Sequence, residues 1–479
     1  MANIVRRMAE GSSRLVERFL PEAFLFAILL TFVTYGMAFV FVEPQGSTLA
    51  HARSILTTGW YGGFWNLLSF AMQMTLVLTT GYALAQTSVV DDLLSRLATL
   101  PSSERSAAAF VPVVAATASF VHWGLGLVVG GLFAQKVANE LRGIDFPIVV
   151  AGAYSGFVVW HGGLAGSIPL VLNSSPDDGN FLLEAGVLES TIGTAATIFT
   201  PLNLVLFAVV SFLFLPALFA LMYPARDDEK TPIDPADLDT AADGGETATP
   251  TSASRADATF ADRIERSTAL GVVVGLVGLT AVVLYFLAGV ADGVMPWNNL
   301  DLNIVNFTLL FLGLLLHGSA AAYIEAVKEA VENVWGIILQ FPFYAGIMGI
   351  MAYAPEGSTS LATQIAEGMV QLSPEGFFLP AIAFLTAGVV NVFVPSGGGE
   401  WAVIGETLVT AAKASGTSVP RVAMAAAWGD AWTNMIQPFW AIPLLAISGL
   451  SVRDIMGYCV LVLLGVGGIV LVGVTFLPM

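Results

Sequence analysis

The groups that could do chemistry stand at five interruptions of an otherwise apolar sequence. His122-Trp123-Gly124-Leu125-Gly126 and His161-Gly162-Gly163 each join a histidine to small residues. The run from Asn391 to Trp401 sets an amide and the hydroxyl of Ser396 beside Gly397, Gly398, Gly399 and Glu400. Asn434-Met435-Ile436-Gln437-Pro438 breaks a helix-forming stretch that carries Asp430, and Gln340-Phe341-Pro342-Phe343-Tyr344 places a proline among polar and aromatic groups. Small residues expose backbone, and half-helix N-termini offer unpaired N–H groups with partial positive charge. Such ends receive a carboxylate without a buried cation. The candidate substrate ligands are therefore His122, Gly124, Gly126, His161, Gly162, Gly163, Gln340, Tyr344, Asn391, Ser396, Gly397, Gly398, Gly399, Trp401, Asn434 and Gln437. Asp430 lies in an apolar helix, where a carboxylate is costly and is by default functional. With Glu400 it is a candidate ligand for a coupling ion.

Each group also has a plainer use. The glycine run after Ser396 can form a tight turn, Asn434 and Gln437 can tie helices together, the histidines can be structural, and Glu400 and Glu406 can sit on a solvated face. One cysteine, Cys459, excludes an intramolecular disulfide and a multi-cysteine metal site. No nucleophile motif or metal-ligand spacing accompanies His122, His161 and Asp430, so no catalytic residue and no metal centre are expected. A membrane-embedded enzyme is the remote alternative.

The elements that position these groups are membrane helices. The 479 residues are 56% hydrophobic and 11% charged, and the mean hydropathy is +0.79. Helices are read near 20–42, 64–87, 146–173, 193–223, 267–291, 303–318, 335–354, 418–450 and 455–477, each about the length that crosses a bilayer. Two apolar stretches, 107–139 and 378–415, are longer with Gly-rich centres and read as re-entrant hairpins. With a cytoplasmic N-terminus and an external C-terminus, only Arg53, Lys413 and Arg421 of the 18 basic residues fall outside, which meets the positive-inside rule. The N-terminus, with Arg6, Arg7, Arg14 and Arg18, lacks the features of a cleaved signal peptide. An inner, cytoplasmic membrane location follows.

Repeats make the two hairpins more specific. The segment from Ala151, AGAYSGFVVWHGGLAGSIPLVLNS, aligns without a gap with AAAWGDAWTNMIQPFWAIPLLAIS from Ala425, placing Pro169 on Pro443 and Tyr154 on Trp428. Interrupted segments at matching places in two halves are the pattern of inverted-repeat secondary transporters, which bind substrate at the midplane. The fold expected is an all-α polytopic membrane protein, with about nine transmembrane helices and two re-entrant hairpins in two inverted-topology repeats. The first repeat spans 1–223, with its broken helix at 146–173, and the second spans 303–479, with its broken helix at 418–450. A connecting transmembrane helix lies at 267–291 and an acidic, disordered cytoplasmic linker at 224–266.

The net charge of −18 makes nucleic acid an improbable partner and fits a salt-loving host. No lysine or arginine is expected at the midplane, which argues against substrates of two or more charges.

FWNLLSFAMQM from Phe64, GLGLVVGGLFAQKVA from Gly124, QFPFYAGI from Gln340, VPSGGGEW from Val394 and QPFWAIPLLAISGLSVRDIMGYC from Gln437 resemble the short-chain fatty acid transporter family. The likeness runs over nearly the whole chain outside the acidic linker. It implies uptake of monocarboxylates such as acetoacetate or butyrate and kinship with the ion transporter superfamily, whose members move in an elevator-like manner. It also implies a substrate site formed by Pro395 to Trp401 and Asn434 to Pro438. The reading is a cation-coupled symporter in the lipid bilayer, with no cofactor other than a bound sodium ion, and a homodimer by superfamily likeness. A C4-dicarboxylate carrier or exchanger is the alternative.

Overall fold

Every long apolar run in the described residues is helical and no strand occurs among them. A chain in hydrocarbon has to pair its backbone groups within each segment. The structure is a computed structural model that describes residues 8, 11, 23–44, 46–66, 68–176, 180–224, 226, 230–233, 260–291, 295–296, 302–331, 334–372 and 376–479. Phe24–Phe41, Phe146–Asn173, Pro201–Met222, Thr268–Ala291 and Val452–Phe476 are long and apolar enough to cross a membrane. Shorter apolar helices lie at Asn303–His317, Ile338–Ala352, Leu379–Asn391 and Pro438–Ser448. The chain is an all-α, multi-pass membrane protein.

Burial sorts these segments. In the most apolar 18-residue window of each, 89% of Phe146–Asn173 but 17% of Thr268–Ala291 is buried, so the first broken helix is an interior element and the helix expected as a connector a peripheral one. The connecting helix lies on Leu302–His317 through Gly271, Gly275 and Gly278, where a Cβ would meet Gly318, Leu315 and Phe311. Small residues at this spacing let two membrane helices approach closely. Gln73 then ties Leu302–His317 to Leu68–Ala85, donating to Asn303 Oδ1 at 2.8 Å, and His317 Nε2 reaches the Ala83 carbonyl at 2.7 Å.

Two helical hairpins flank the centre. Glu104–Val121 and Trp123–Glu140 meet at His122, whose backbone is extended (φ −158°). Leu379–Asn391 and Gly397–Ser415 are joined by Val392 to Ser396. Gly416, with φ +70°, ends the second hairpin in the left-handed region that glycine enters without a Cβ penalty.

The broken helices are each built from two pieces. Phe146–Ser155 tightens into a 3-10 turn at Gly156–Gly162 before Ser167–Asn173. Val419–Thr433 stops before Asn434, and a 3-10 turn at Pro438–Trp440 leads into Ala441–Ser448. The second pieces start at aligned residues, Ser167 and Ala441, and each has its proline, Pro169 or Pro443, as third residue. The 3-10 turn precedes the break in one and follows it in the other.

Several boundaries differ from those read in the sequence. The helix expected at 64–87 begins at Leu68, after a turn at Phe64 to Asn66, and a π-helical segment at Ile55–Tyr61 precedes it. The helix expected from 193 begins at Pro201, because Thr200 caps it by accepting from Asn203 N–H. Ser88–Ala98 and Ala320–Val331 were not anticipated; their Asp91, Asp92 and Arg96, or Glu325, Lys328 and Glu329, break the apolar signal. Lys136 pairs with Asp91, fixing the first of these to the first hairpin. Pro342 stands inside an unbroken helix, Trp335–Ala352.

Within the linker expected to be disordered at 224–266, residues 224, 226, 230–233 and 260–266 are described. Lys230 pairs with Glu104 at 2.5 Å, Thr231 N–H donates to Asp145 Oδ2 at 2.9 Å, and Phe260–Glu265 is helical. Residues 234–259 lie outside the described residues.

Candidate functional site

The two broken helices pack against each other, and side chains satisfy the backbone that the breaks release. The last carbonyls of a helix have no partner within it, and in a bilayer water cannot supply one. Tyr154 Oη donates to the Asn434 carbonyl at 2.6 Å. Asn203 Nδ2 donates to the Gly162 carbonyl at 2.7 Å and to the Ile198 carbonyl at 2.8 Å, while its Oδ1 accepts from Trp428 Nε1 at 2.9 Å. Tyr154, Asn203 and Asn434 are all completely buried.

An acid chain starts at the first break. Ile168 N–H, in the first turn of Ser167–Asn173, donates to His161 Nε2 at 3.0 Å. A ring nitrogen that accepts carries no proton, so the imidazole proton sits on Nδ1. From there it is donated to Asp430 Oδ2 at 2.8 Å. The Glu400 carboxyl lies against that of Asp430. All three side chains have no exposed surface, and no lysine or arginine is buried among the described residues. Neither Glu400 oxygen nor Asp430 Oδ1 has a hydrogen-bond partner. Gly397 brings the second hairpin against this chain, since a Cβ there would stand 2.9 Å from His161 Nε2 and closer still to Cε1.

A second cluster presents donors. Trp160 Nε1 donates to Asn434 Oδ1 at 2.9 Å, and Phe439 N–H donates to Gln437 Oε1 at 2.6 Å. Each amide is thus held by its carbonyl end, and Asn434 Nδ2 and Gln437 Nε2 have no partner. The Tyr344 hydroxyl faces the Gln437 amide without reaching hydrogen-bond geometry. Aromatic rings wall this cluster: Phe439 stacks on Phe341 at 4.4 Å and meets Tyr344 at 4.8 Å and Trp440 at 4.9 Å. Behind Phe341 lies an apolar cavity of about 100 Å³, lined also by Phe64, Leu68, Met72, Ile338 and Pro342.

The structure thus gathers His161, Gly397, Glu400 and Asp430 at one point, and Tyr344, Asn434 and Gln437 at another. Gln340 is buried one helical turn from Tyr344, with Oε1 unpartnered. Gly398 and Gly399 begin the helix that carries Glu400 and Trp401; Gly399 packs on Met348, and Gly398 has only Ser167 Cβ nearby. Trp401 is fully buried with Nε1 unpartnered.

Other expected ligands have local duties. Ser396 caps its helix by accepting from Gly399 N–H at 3.4 Å, and Asn391 Nδ2 donates to Thr433 Oγ1 at 2.8 Å. His122 Nδ1 accepts from Gly124 N–H at 3.2 Å and its ring stacks on Trp123. Gly126, Gly162 and Gly163 allow close packing against Ser119, Asn203 and Phe120 respectively. Sequence reasoning missed Trp160 and Asn203 as positioning residues. A lone asparagine in the apolar run 201–222 was the available signal for Asn203.

A family model described as short chain fatty acid transporter matches residues 4–477. A curated relative from Escherichia coli, provisionally named a short-chain fatty acid transporter, is 36% identical over 472 residues, 98% of this chain and 100% of its own. One from Haemophilus influenzae with the same provisional name is 34% identical over 479 residues, 99% of this chain and 100% of its own. Among solved structures, the Alcanivorax borkumensis YdaH transporter, described as having an unusual topology, aligns with a TM-score of 0.45 at 17% identity over 94% of this chain and 98% of that chain. Neisseria gonorrhoeae MtrF, from a class described as antimetabolite efflux pumps, aligns with a TM-score of 0.44 at 15% identity over 96% of this chain and 97% of that chain.

Proposed function

This chain belongs to the short chain fatty acid transporter family, and on that premise we propose that it carries short-chain monocarboxylates such as butyrate or acetoacetate across the cytoplasmic membrane together with a cation. The observation that carries this reading is the pair of amides whose carbonyl ends are occupied, leaving Asn434 Nδ2 and Gln437 Nε2 as buried, unused donors. A carboxylate accepts hydrogen bonds at both oxygens, and two N–H₂ groups with the Tyr344 hydroxyl beside them meet that need. Phe341, Phe439 and Trp440 give a short alkyl tail an apolar wall. With no buried lysine or arginine among the described residues, one negative charge is met by dipoles alone, which favours a monocarboxylate over a dicarboxylate.

The transport cycle proposed is an elevator-like movement of the hairpins and broken helices past the peripheral helices. Two inverted repeats, an internal N-terminus and a homodimer complete the picture. Support for the repeats is the gapless alignment of the broken helices and the matched starts at Ser167 and Ala441. Uptake of labelled butyrate into proteoliposomes, with sodium and proton gradients imposed separately, tests the reading. Saturable accumulation under one gradient is expected, and its absence under both contradicts coupled uptake.

A further inference from the structure

We infer that the coupling ion is a proton, held between the carboxyl groups of Glu400 and Asp430, with Glu400 as its carrier and His161 as the residue that positions Asp430. This deepens the proposed function and rests on its reading of the chain as a cation-coupled transporter.

Hydrogen-bond directions favour Glu400 over Asp430 as the bearer of the proton. Ile168 N–H occupies His161 Nε2, so Nδ1–H points at Asp430 Oδ2. That donated N–H favours the ionised form of Asp430 over its acid form. Its Oδ1 and both Glu400 oxygens have no donor, although Glu400 follows Gly397, which packs on His161, in the first turn of the same helix and its carboxyl faces that of Asp430. Two ionised carboxylates facing each other in a buried site repel strongly, and two acceptors form no bond. One proton on Glu400 removes both difficulties, because its O–H then donates to Asp430 Oδ1 and the pair holds a single negative charge.

Among the described residues, no other charged group faces this pair. On the elements packed around it, Glu184, Glu367, Glu406 and Lys413 are exposed, and the Arg421 guanidinium is bound to the carbonyls of Val474 and Leu477. Tyr344 and Tyr154 add only neutral hydroxyls. The histidine is fixed in its accepting tautomer, so the acid pair is the place where charge changes. During transport the proton passes from water on one side to Glu400, and from Glu400 to water on the other.

Glu400→Gln places a permanent N–H donor where the protonated carboxyl stood, and it tests the inference in two ways. In proteoliposomes, butyrate accumulation driven by a pH gradient is expected to fall to the level seen without a gradient. Gradient-driven accumulation that survives in the variant, or wild-type accumulation that follows sodium alone, overturns the inference. The second readout needs no transport. Infrared spectra of purified wild-type protein at neutral pH should show a protonated-carboxyl C=O stretch that Glu400→Gln removes and Asp430→Asn moves to higher frequency by weakening the acceptor. A spectrum without that band overturns the proton site even if butyrate proves not to be the substrate, whereas the band with no butyrate uptake leaves the proton site standing and refutes the substrate.

Discussion

Trp160 Nε1 donates to Asn434 Oδ1 where the two broken helices pack against each other, at 2.9 Å between residues 274 positions apart. This bond orients an amide, and the orientation decides what the amide offers. With its carbonyl end occupied, Asn434 presents only N–H groups. Trp160→Phe keeps the ring but removes the donor, leaving a buried acceptor that costs about 1–3 kcal/mol and an amide free to turn. The expected outcome is a KM for butyrate raised about 5- to 100-fold with normal amounts of protein in the membrane. Concentration-dependent uptake checks it, and an unchanged KM would mean that Asn434 does not bind substrate.

Gly397 and Gly398 separate packing from composition. A Cβ at Gly397 would drive into the His161 ring, whereas one at Gly398 would touch only Ser167 Cβ at 3.9 Å. Overpacking a tight interior site costs about 1–3 kcal/mol. Gly397→Ala should lower the Tm of the detergent-purified protein by several degrees, and Gly398→Ala should shift it much less. Equal shifts would place the second hairpin away from His161.

Asn203 closes a bridge between Gly162, Ile198 and Trp428. Asn203→Leu strands two carbonyls and one indole N–H in a buried site, each costing about 1–3 kcal/mol. Strongly reduced yield of folded protein is expected, measured as the monodisperse fraction after extraction. Wild-type yield would show that the first break satisfies its backbone in another way.

These contacts mark where the sequence was legible. The breaks were visible because glycine and proline stand inside apolar runs, as at His161-Gly162-Gly163 and Gln437-Pro438, and the hairpin ends because Gly397 to Gly399 interrupt another. Which groups meet was not visible. His161 and Asp430 are 269 positions apart, and nothing in local spacing pairs them. The histidine at the first hairpin, His122, looked equivalent to His161 but bonds its own neighbour Gly124. Charged amphipathic helices such as Ser88–Ala98, with Asp91, Asp92 and Arg96, do not stand out by hydropathy.

Phe341 stacks on Phe439 beside the amide cluster and also lines the apolar cavity of about 100 Å³. Phe341→Ala removes the ring common to both and leaves apolar room there for a longer tail. Each further methylene buried contributes about 0.8 kcal/mol, roughly a fourfold gain in affinity, so the variant should favour hexanoate relative to butyrate by about tenfold or more. Competition of the two acids for uptake measures the ratio, and an unchanged ratio would place the alkyl tail elsewhere.

The central claim is that neutral donors receive one carboxylate. Counterflow in proteoliposomes loaded with unlabelled butyrate tests it most directly, with external labelled butyrate challenged by acetoacetate or succinate. Saturable counterflow inhibited by acetoacetate and indifferent to succinate is the predicted result. Strong inhibition by succinate, or faster exchange in succinate-loaded vesicles, would contradict the monocarboxylate reading and point to a dicarboxylate carrier.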